Sequence, residues 1–256
     1  MELIDTHCHL TAVEREKLPA IFERAKECSV NRFVCVGASD GIISAHDAIE
    51  LTKQYPRVFC SVGVHPHDAG HHQNLKEIEK LFEEEKVVAV GETGLDFFRD
   101  WAPVEDQRKL FRYSIELAKD IKKPLIIHCR EAADETFATL KELSADKVGG
   151  VFHCYAEDAE FARKIADLNF LVSFTGNITF KKAHDRREAV AGIPLEQIML
   201  ETDMPYMAPE PFRGKPSEPM HVYKVAQMIA EVKEISLEEV AKKTSETAIN
   251  FFSLSK

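Results

Sequence analysis

The chain has 256 residues, 45% of them hydrophobic and 30% charged, which is the composition of an ordinary globular protein. Its formal net charge of −10 excludes a non-specific nucleic-acid binder that works through bulk positive charge, so a polyanionic substrate would need a local basic patch or bound cations. No stretch approaches 18 apolar residues, and Glu2 and Asp5 stand where a signal peptide needs a basic and then an apolar run, so no membrane span and no secretory leader are expected and a cytoplasmic location is.

The first predicted strand covers residues 3–5 and runs into Thr6-His7-Cys8-His9. In an extended chain the side-chain period is two, so Asp5, His7 and His9 share one face. Two imidazoles so spaced can grip one metal ion. Further strands are predicted at 32–36, 58–63, 87–91, 125–128, 150–153, 170–173 and 197–200. Most lack strict polar alternation, as expected of parallel strands covered on both faces.

Helical patterns fill the gaps. Asn74 with Glu77 resembles a capping box ahead of Leu75, Ile78, Leu81 and Phe82. Pro103 suits a first turn before Phe111, Ile115 and Ala118. Phe161, Ile165 and Leu168 mark another helix, and two more are predicted at 221–232 and from Ser236, with Glu239 as its capping partner. One long irregular segment, 202–220, holds five of the eleven prolines; a loop of that length inside a compact domain is usually functional. None of the six cysteines forms a C-x-x-C pair, and Cys35, Cys60, Cys129 and Cys154 sit in apolar runs, which predicts reduced core thiols.

Eight strands alternating with helices over this length predict an α/β fold, a (β/α)8 TIM barrel, as a single domain over 1–256. A doubly wound open sheet is the alternative, weakened by the lack of a G-x-G-x-x-G turn after the first strand. In a barrel, the C-terminal strand ends share the face that carries enzyme sites. There the sequence places His7 and His9, His65 and His67, Glu92, His128, His153, and Glu201 and Asp203. From that placement His7, His9, Glu92, His128, His153 and Asp203 are predicted metal ligands. Six N/O donors exceed what one open catalytic ion takes from a protein and suit two ions about 3.5–4 Å apart, bridged by a carboxylate. Cys8, Cys129 and Cys154 adjoin ligand histidines and would face the other side of an extended strand.

Seven segments carry a closer resemblance. They are Asp5-Thr6-His7-Cys8-His9, Gly63-Val64-His65-Pro66-His67, Gly91-Glu92-Thr93-Gly94-Leu95-Asp96-Phe97, His128-Cys129-Arg130-Glu131-Ala132, His153-Cys154-Tyr155, the run 173–180 (SFTGNITF) and Glu201-Thr202-Asp203-Met204-Pro205-Tyr206. In this order and over this span the chain resembles the TatD-family metal-dependent deoxyribonucleases of the amidohydrolase superfamily. Relatives in that superfamily often bridge their metals with a modified lysine on strand four; here the position resembles Glu92 of the TatD pattern. The resemblance implies that His7, His9, Glu92 and Asp203 hold one ion and that Glu92, His128 and His153 hold the other. It also implies two divalent ions (Mg2+, Zn2+ or Mn2+), DNA as substrate and 3′-to-5′ exonuclease action on single strands or frayed ends. A monomer and no membrane partner are expected. The family's loop motif ends Arg-Gly-Lys-x-Asn-Glu-Pro, whereas this chain has Ser217 at the Asn position.

Asp203 and Glu92 are the expected catalytic carboxylates, with Asp203 taking the proton of the attacking water. His65, Arg130, Tyr155, Tyr206 and Arg213 are expected substrate contacts, the arginines by bidentate grip of phosphate and the tyrosines by stacking on a base or bonding a phosphate. The run Lys181, Lys182, Arg186 and Arg187 is a candidate for the flanking strand. Asp96 is expected to bond a metal histidine from behind. Two other function classes stand beside this one: an amidohydrolase-type enzyme on a small carbonyl or phosphotriester substrate, and a non-catalytic binding protein.

Overall fold

The computed structural model describes residues 1–70 and 75–254. Among them are eight strands: β1 (Leu3–Cys8), β2 (Val30–Gly37), β3 (Val58–Val62), β4 (Val87–Asp96), β5 (Leu125–Arg130), β6 (Gly150–Phe152), β7 (Phe170–Phe174) and β8 (Ile198–Leu200). The helices are α1 (Leu18–Glu27), α2 (Ile42–Gln54), α3 (Leu75–Leu81), α4 (Val104–Ile121), α5 (Ala133–Glu142), α6 (Ala159–Ala166), α7 (His184–Gly192), α8 (Val222–Lys233) and α9 (Leu237–Phe252). The strands run in sheet order from β1 to β8, and Cys8 bridges in parallel to Met204, just past β8. The expected (β/α)8 barrel is the fold. No helix among the described residues is long and apolar enough to cross a membrane.

Each predicted strand is present, and β1, β2, β4, β5 and β7 run further than the sequence suggests, the extensions of β1 and β4 reaching the site. β1 continues through His7 to Cys8. β4 does not stop at Gly91: it carries on through Glu92 to Asp96, every residue buried, pairing Thr93 with Ile127, Gly94 with His128 and Asp96 with Arg130. Gly91 and Gly94 serve close approach. A Cβ on Gly91 would lie 2.7 Å from the Ile126 carbonyl oxygen, and one on Gly94 would lie 2.0 Å from that of His128. Absence of a side chain there lets β5 come near enough to present its histidine. Glu92 is therefore inside a strand and not after one.

Helix boundaries follow local chemistry. Pro103 caps α4, one residue before its first turn, and Leu110, Phe111, Ile115 and Ala118 are buried at helical spacing. Ser236 caps α9 by accepting the Glu239 N–H at 3.1 Å. Leu168 falls beyond the end of α6. The Asn74 cap lies outside the described residues, as do His71 and His72.

The chain folds into two compact units, each made of several segments. The first holds residues 1–35, 154–164 and 172–256, and the second holds 36–153 and 165–171. The crossings at 35/36, 164/165 and 171/172 fall inside β2, α6 and β7, and no linker marks them. In the first unit β1 pairs with β2 and β7 with β8. Its long segment 202–220 is tied down at several points: Ser217 N–H donates to the Pro205 carbonyl at 2.9 Å, Glu210 N–H to Thr179 Oγ1 at 2.9 Å, and Arg24 grips Glu218 through two bonds of 2.7 and 2.8 Å. In the second unit β3, β4, β5 and β6 pair in succession, with β4 and β5 as its longest seam. All six cysteines are free thiols. Cys35 and Cys60 are core residues, while Cys129 and Cys154 are partly exposed, because both sit at strand ends.

Candidate metal centre

In the first unit the site starts from Asp5. This buried carboxylate accepts the Thr202 N–H at 2.9 Å and the Thr202 hydroxyl at 2.6 Å. Burial pushes its pKa well above the usual range, against the pull of those bonds. Asp5 thereby fixes the residue before Asp203. Two backbone bonds complete the tie: Asp203 N–H to the His7 carbonyl at 2.9 Å, and His9 N–H to the Met204 carbonyl at 2.9 Å. Asp203 sits at φ 55°, a left-handed backbone that Asp tolerates better than most residues. The outcome is a compact donor set. Asp203 Oδ1 lies 3.3 Å from His9 Nε2 and 3.8 Å from His7 Nε2.

In the second unit the centre is Glu92. Its Oε1 is 2.8 Å from His128 Nδ1, 2.8 Å from His153 Nε2 and 3.3 Å from His65 Nε2. His128 is held from behind, its Nε2 2.9 Å from Asp96 Oδ2, and the same oxygen lies 2.7 Å from His67 Nε2. The other Asp96 oxygen accepts the N–H groups of Phe98 and Arg99, each at 2.9 Å. Burial alone would raise the Asp96 pKa, but the bonds from His128, Arg99 and His67 outweigh it and keep this carboxyl ionised. Burial opposes charge on His128 as well, yet its bonds to Asp96 and Glu92 prevail and raise its pKa. With Asp96 on Nε2, the ligating atom His128 offers towards Glu92 is Nδ1. His65 behaves differently. Burial pushes its pKa down to about 4, and its Nδ1 accepts the His67 N–H at 3.1 Å, so the ring is neutral with its proton on Nε2, facing Glu92.

These donors fit a divalent ion. Each group consists of imidazole nitrogens and carboxylate oxygens, the set that suits Zn2+, Mn2+ and related ions. Two ligands around one tetrahedral ion at the usual bond lengths stand about 3.3 Å apart. The separations above, 2.8 to 3.8 Å, bracket that value. Glu92, His128 and His153 also form one of the clusters whose ligand atoms lie mutually within 4.8 Å, and His65, His67 and His128 form another. The predicted ligands thus fall into two groups: His7, His9 and Asp203 in the first unit, and Glu92, His128 and His153 in the second.

The predicted substrate contacts fare unevenly. Arg130 is exposed, with its guanidinium 3.9 Å from the centroid of the Phe98 ring. Arg213 is exposed and stands 4.4 Å over Phe180. Tyr206 is 61% exposed and meets His9 edge-on at 6.2 Å. Tyr155 is corrected: it is 2% exposed, packs edge-on against Phe174, and donates its hydroxyl to the Asp158 carbonyl at 2.6 Å, so no base can stack on it. His65 is partly exposed, with its Nε2 3.3 Å from Glu92 Oε1. Of the basic run, Arg187 is spent on the carbonyls of Ile178 and Phe180 at 2.9 and 2.8 Å, which leaves Lys181 and Lys182 exposed. Cys154 is not on an extended strand; at φ 45° the backbone turns, and its N–H donates to Glu201 Oε1 at 2.6 Å. Glu201 also accepts from the Ser173 hydroxyl at 2.7 Å. It positions the residue after His153, a role the sequence left unassigned; its place beside Asp203 at a strand end was the available signal.

The family model described as "TatD related DNase" matches residues 4–253. The chain belongs to the TatD family. It is 42% identical over 253 residues to the uncharacterized metal-dependent hydrolase YabD of Bacillus subtilis, covering 98% of both chains. It is 35% identical over 254 residues to the uncharacterized metal-dependent hydrolase YcfH of Escherichia coli, covering 98% of this chain and 96% of that one. Among solved structures, the TatD homologue YjjV of Escherichia coli superposes with a TM-score of 0.91 at 27% identity, covering 98% of both. An amidohydrolase from Burkholderia multivorans with bound zinc shares the fold, with a TM-score of 0.68 at 12% identity and the whole of both chains covered. This TatD-family chain is a metal-dependent hydrolase, and its clusters of His, Asp and Glu are able to bind metal.

In this TatD-family protein Asp96 sets the orientation and basicity of His128. Asp96→Asn keeps the shape but removes the charge behind the ring. Metal affinity is expected to fall about 10- to 100-fold, the usual cost of losing such a partner. Titration with a competing chelator checks this, and unchanged affinity would show that His128 is not a ligand.

Proposed function

We propose that this hydrolase cleaves the phosphodiester bonds of DNA, as a 3′-to-5′ exonuclease on single strands or frayed ends, with two divalent ions. The observation that carries the reading is the donor set: His7, His9 and Asp203 gathered at one carboxylate oxygen, and His128, His153 and His65 gathered at Glu92 Oε1. The family's description as related to a DNase supports the substrate. So do the exposed guanidiniums of Arg130 and Arg213, since a chain of net charge −10 needs local cations to receive a polyanion.

His7, His9 and Asp203 would hold one ion, and Glu92, His128 and His153 the other. Bound divalent ions lower the pKa of a water and offset the charge that builds on a phosphoryl oxygen. Asp203 would accept the proton of the attacking water. Asp96 holds His128 in the tautomer that leaves Nδ1 available. His65, neutral, donates Nε2–H to Glu92 and keeps that carboxylate in place. Arg130 and Arg213 take the non-bridging phosphate oxygens. Tyr206, beside His9, lies where a base next to the scissile bond can stack.

The test uses end-labelled single-stranded oligonucleotides after chelator stripping, with Mg2+, Mn2+ and Zn2+ restored in turn. Stepwise loss of nucleotides from the 3′ end with restored metal, and none without it, is expected. Rapid hydrolysis of lactones, cyclic amides or phosphotriesters with the oligonucleotide left intact would overturn the reading.

A further inference from the structure

We infer that Phe98, Arg99, Trp101 and Arg130 form a stacking platform for an unpaired base of the substrate strand, beside the Glu92 group. The inference rests on the nuclease reading for the strand's fate but not for its binding.

The platform is a feature of the second unit alone. Among the described residues six large hydrophobic side chains are exposed, and three of them lie within 98–104: Phe98 at 47%, Trp101 at 63% and Val104 at 38%. Exposed aromatics this concentrated mark a contact surface more often than chance. Two guanidiniums lie against the rings. Arg130 is 3.9 Å from the centroid of Phe98, and Arg99 is 5.0 Å from that of Phe98 and 5.3 Å from that of Trp101. Asp100 and Glu131 are their chain neighbours, yet neither guanidinium has a carboxylate partner among the described residues.

The turn that presents these groups is fixed. Asp96 Oδ1 accepts the N–H groups of Phe98 and Arg99, the Phe97 N–H donates to the Arg130 carbonyl at 2.9 Å, and Gln107 ties Ala102 at 3.1 Å. The platform also reaches the residues behind a metal ligand. Trp101 meets His67 edge-on at 4.4 Å, and His67 shares Asp96 Oδ2 with His128. A ligand seated on Trp101 is therefore within a few side chains of the Glu92 group.

The chemistry selects the occupant. A flat apolar face receives any base without regard to sequence, and the two arginines receive the flanking phosphates. A protein partner would have to bring carboxylates into register with both guanidiniums and a flat group onto the rings at once, whereas a strand carries phosphates and bases together at every step.

Trp101 is the sole tryptophan, so its emission reports on this platform directly. The unmodified protein, kept in chelator so that no cleavage occurs, is titrated with a dT 12-mer and with an abasic strand of equal length. We expect quenching by the dT strand, and a midpoint about tenfold higher for the abasic strand, the scale of one lost stacking contact. Phe98→Ala and Arg99→Ala are expected to raise the dT midpoint by a similar factor. Equal binding of both strands would overturn the platform. So would a shift of emission with protein concentration alone, which would assign the surface to a second copy, or metal-dependent cleavage with no quenching. Quenching by the dT strand with no cleavage under any metal would sink the nuclease reading and leave the platform standing.

Discussion

Glu92→Ala is expected to abolish hydrolysis and to lower the metal content of the purified protein. The residue is 3% exposed, and three imidazole nitrogens converge on one of its oxygens at 2.8, 2.8 and 3.3 Å. Removing the carboxylate takes away a ligand and also the negative charge that compensates these rings. The loss should exceed the roughly 100-fold that a partner behind a ligand can cost. Elemental analysis and the rate on a single-stranded substrate measure the two effects. Glu92→Gln separates charge from shape: it preserves volume but binds cations poorly, so activity should be lost with the melting temperature little changed. A variant that keeps full metal and full rate would end the reading of Glu92 as the central ligand.

Gly94→Ala is expected to damage the protein as severely by a purely steric route. A Cβ there would stand 2.0 Å from the His128 carbonyl oxygen, where only backbone can give way, and the residue's φ of +142° is strained for any L side chain. Shifting β4 from β5 displaces His128 and opens the longest seam of the second unit. A cost of about 3 kcal/mol or more follows, in line with strained-backbone and overpacking mechanisms. For a chain of this size that lowers the melting temperature by roughly 6–12 °C. Gly214→Ala is the control. Gly214 has a positive φ of +87° but nothing within 4 Å of the added methyl, so strain alone remains, about 1 kcal/mol. Equal melting temperatures for the two variants would show that the close approach at Gly94 does not matter.

The donors were legible because they obey a simple rule. Parallel strands give short apolar runs, and a polar residue placed at the end of such a run stands out against it. His7, His153 and Asp203 are of this kind. Glu92 was legible as a ligand but not in its setting. The apolar run ends at Gly91, and nothing in the sequence shows that the close approach at Gly91 and Gly94 carries β4 on to Asp96. Tyr155 was misread because a terminal tyrosine looks the same in sequence whether its ring is exposed or, as here, packed with its hydroxyl on the Asp158 carbonyl. Arg187 was misread for the same reason: a basic run does not show which member the backbone carbonyls will claim. Asp96 was expected behind a histidine, and the structure adds His67 and the turn at 98–99 to its partners. Trp101 went unnoticed because Phe97, Phe98, Ala102 and Val104 around it look like ordinary core residues in sequence, and only the structure shows Phe98, Trp101 and Val104 exposed.

The ties between β1 and the end of β8 also set a schedule for biosynthesis. The Thr6 hydroxyl donates to the Leu200 carbonyl across 194 residues, and Asp5 waits for Thr202 across 197. On a ribosome adding about 5–20 residues per second, that wait lasts roughly 10–40 s. During it Asp5 lacks both Thr202 donors, and the apolar first strand lacks one of its neighbours. A nascent chain in that condition is a substrate for holding chaperones. A truncation just before residue 198 should therefore yield aggregated product, even though everything N-terminal to the cut is intact.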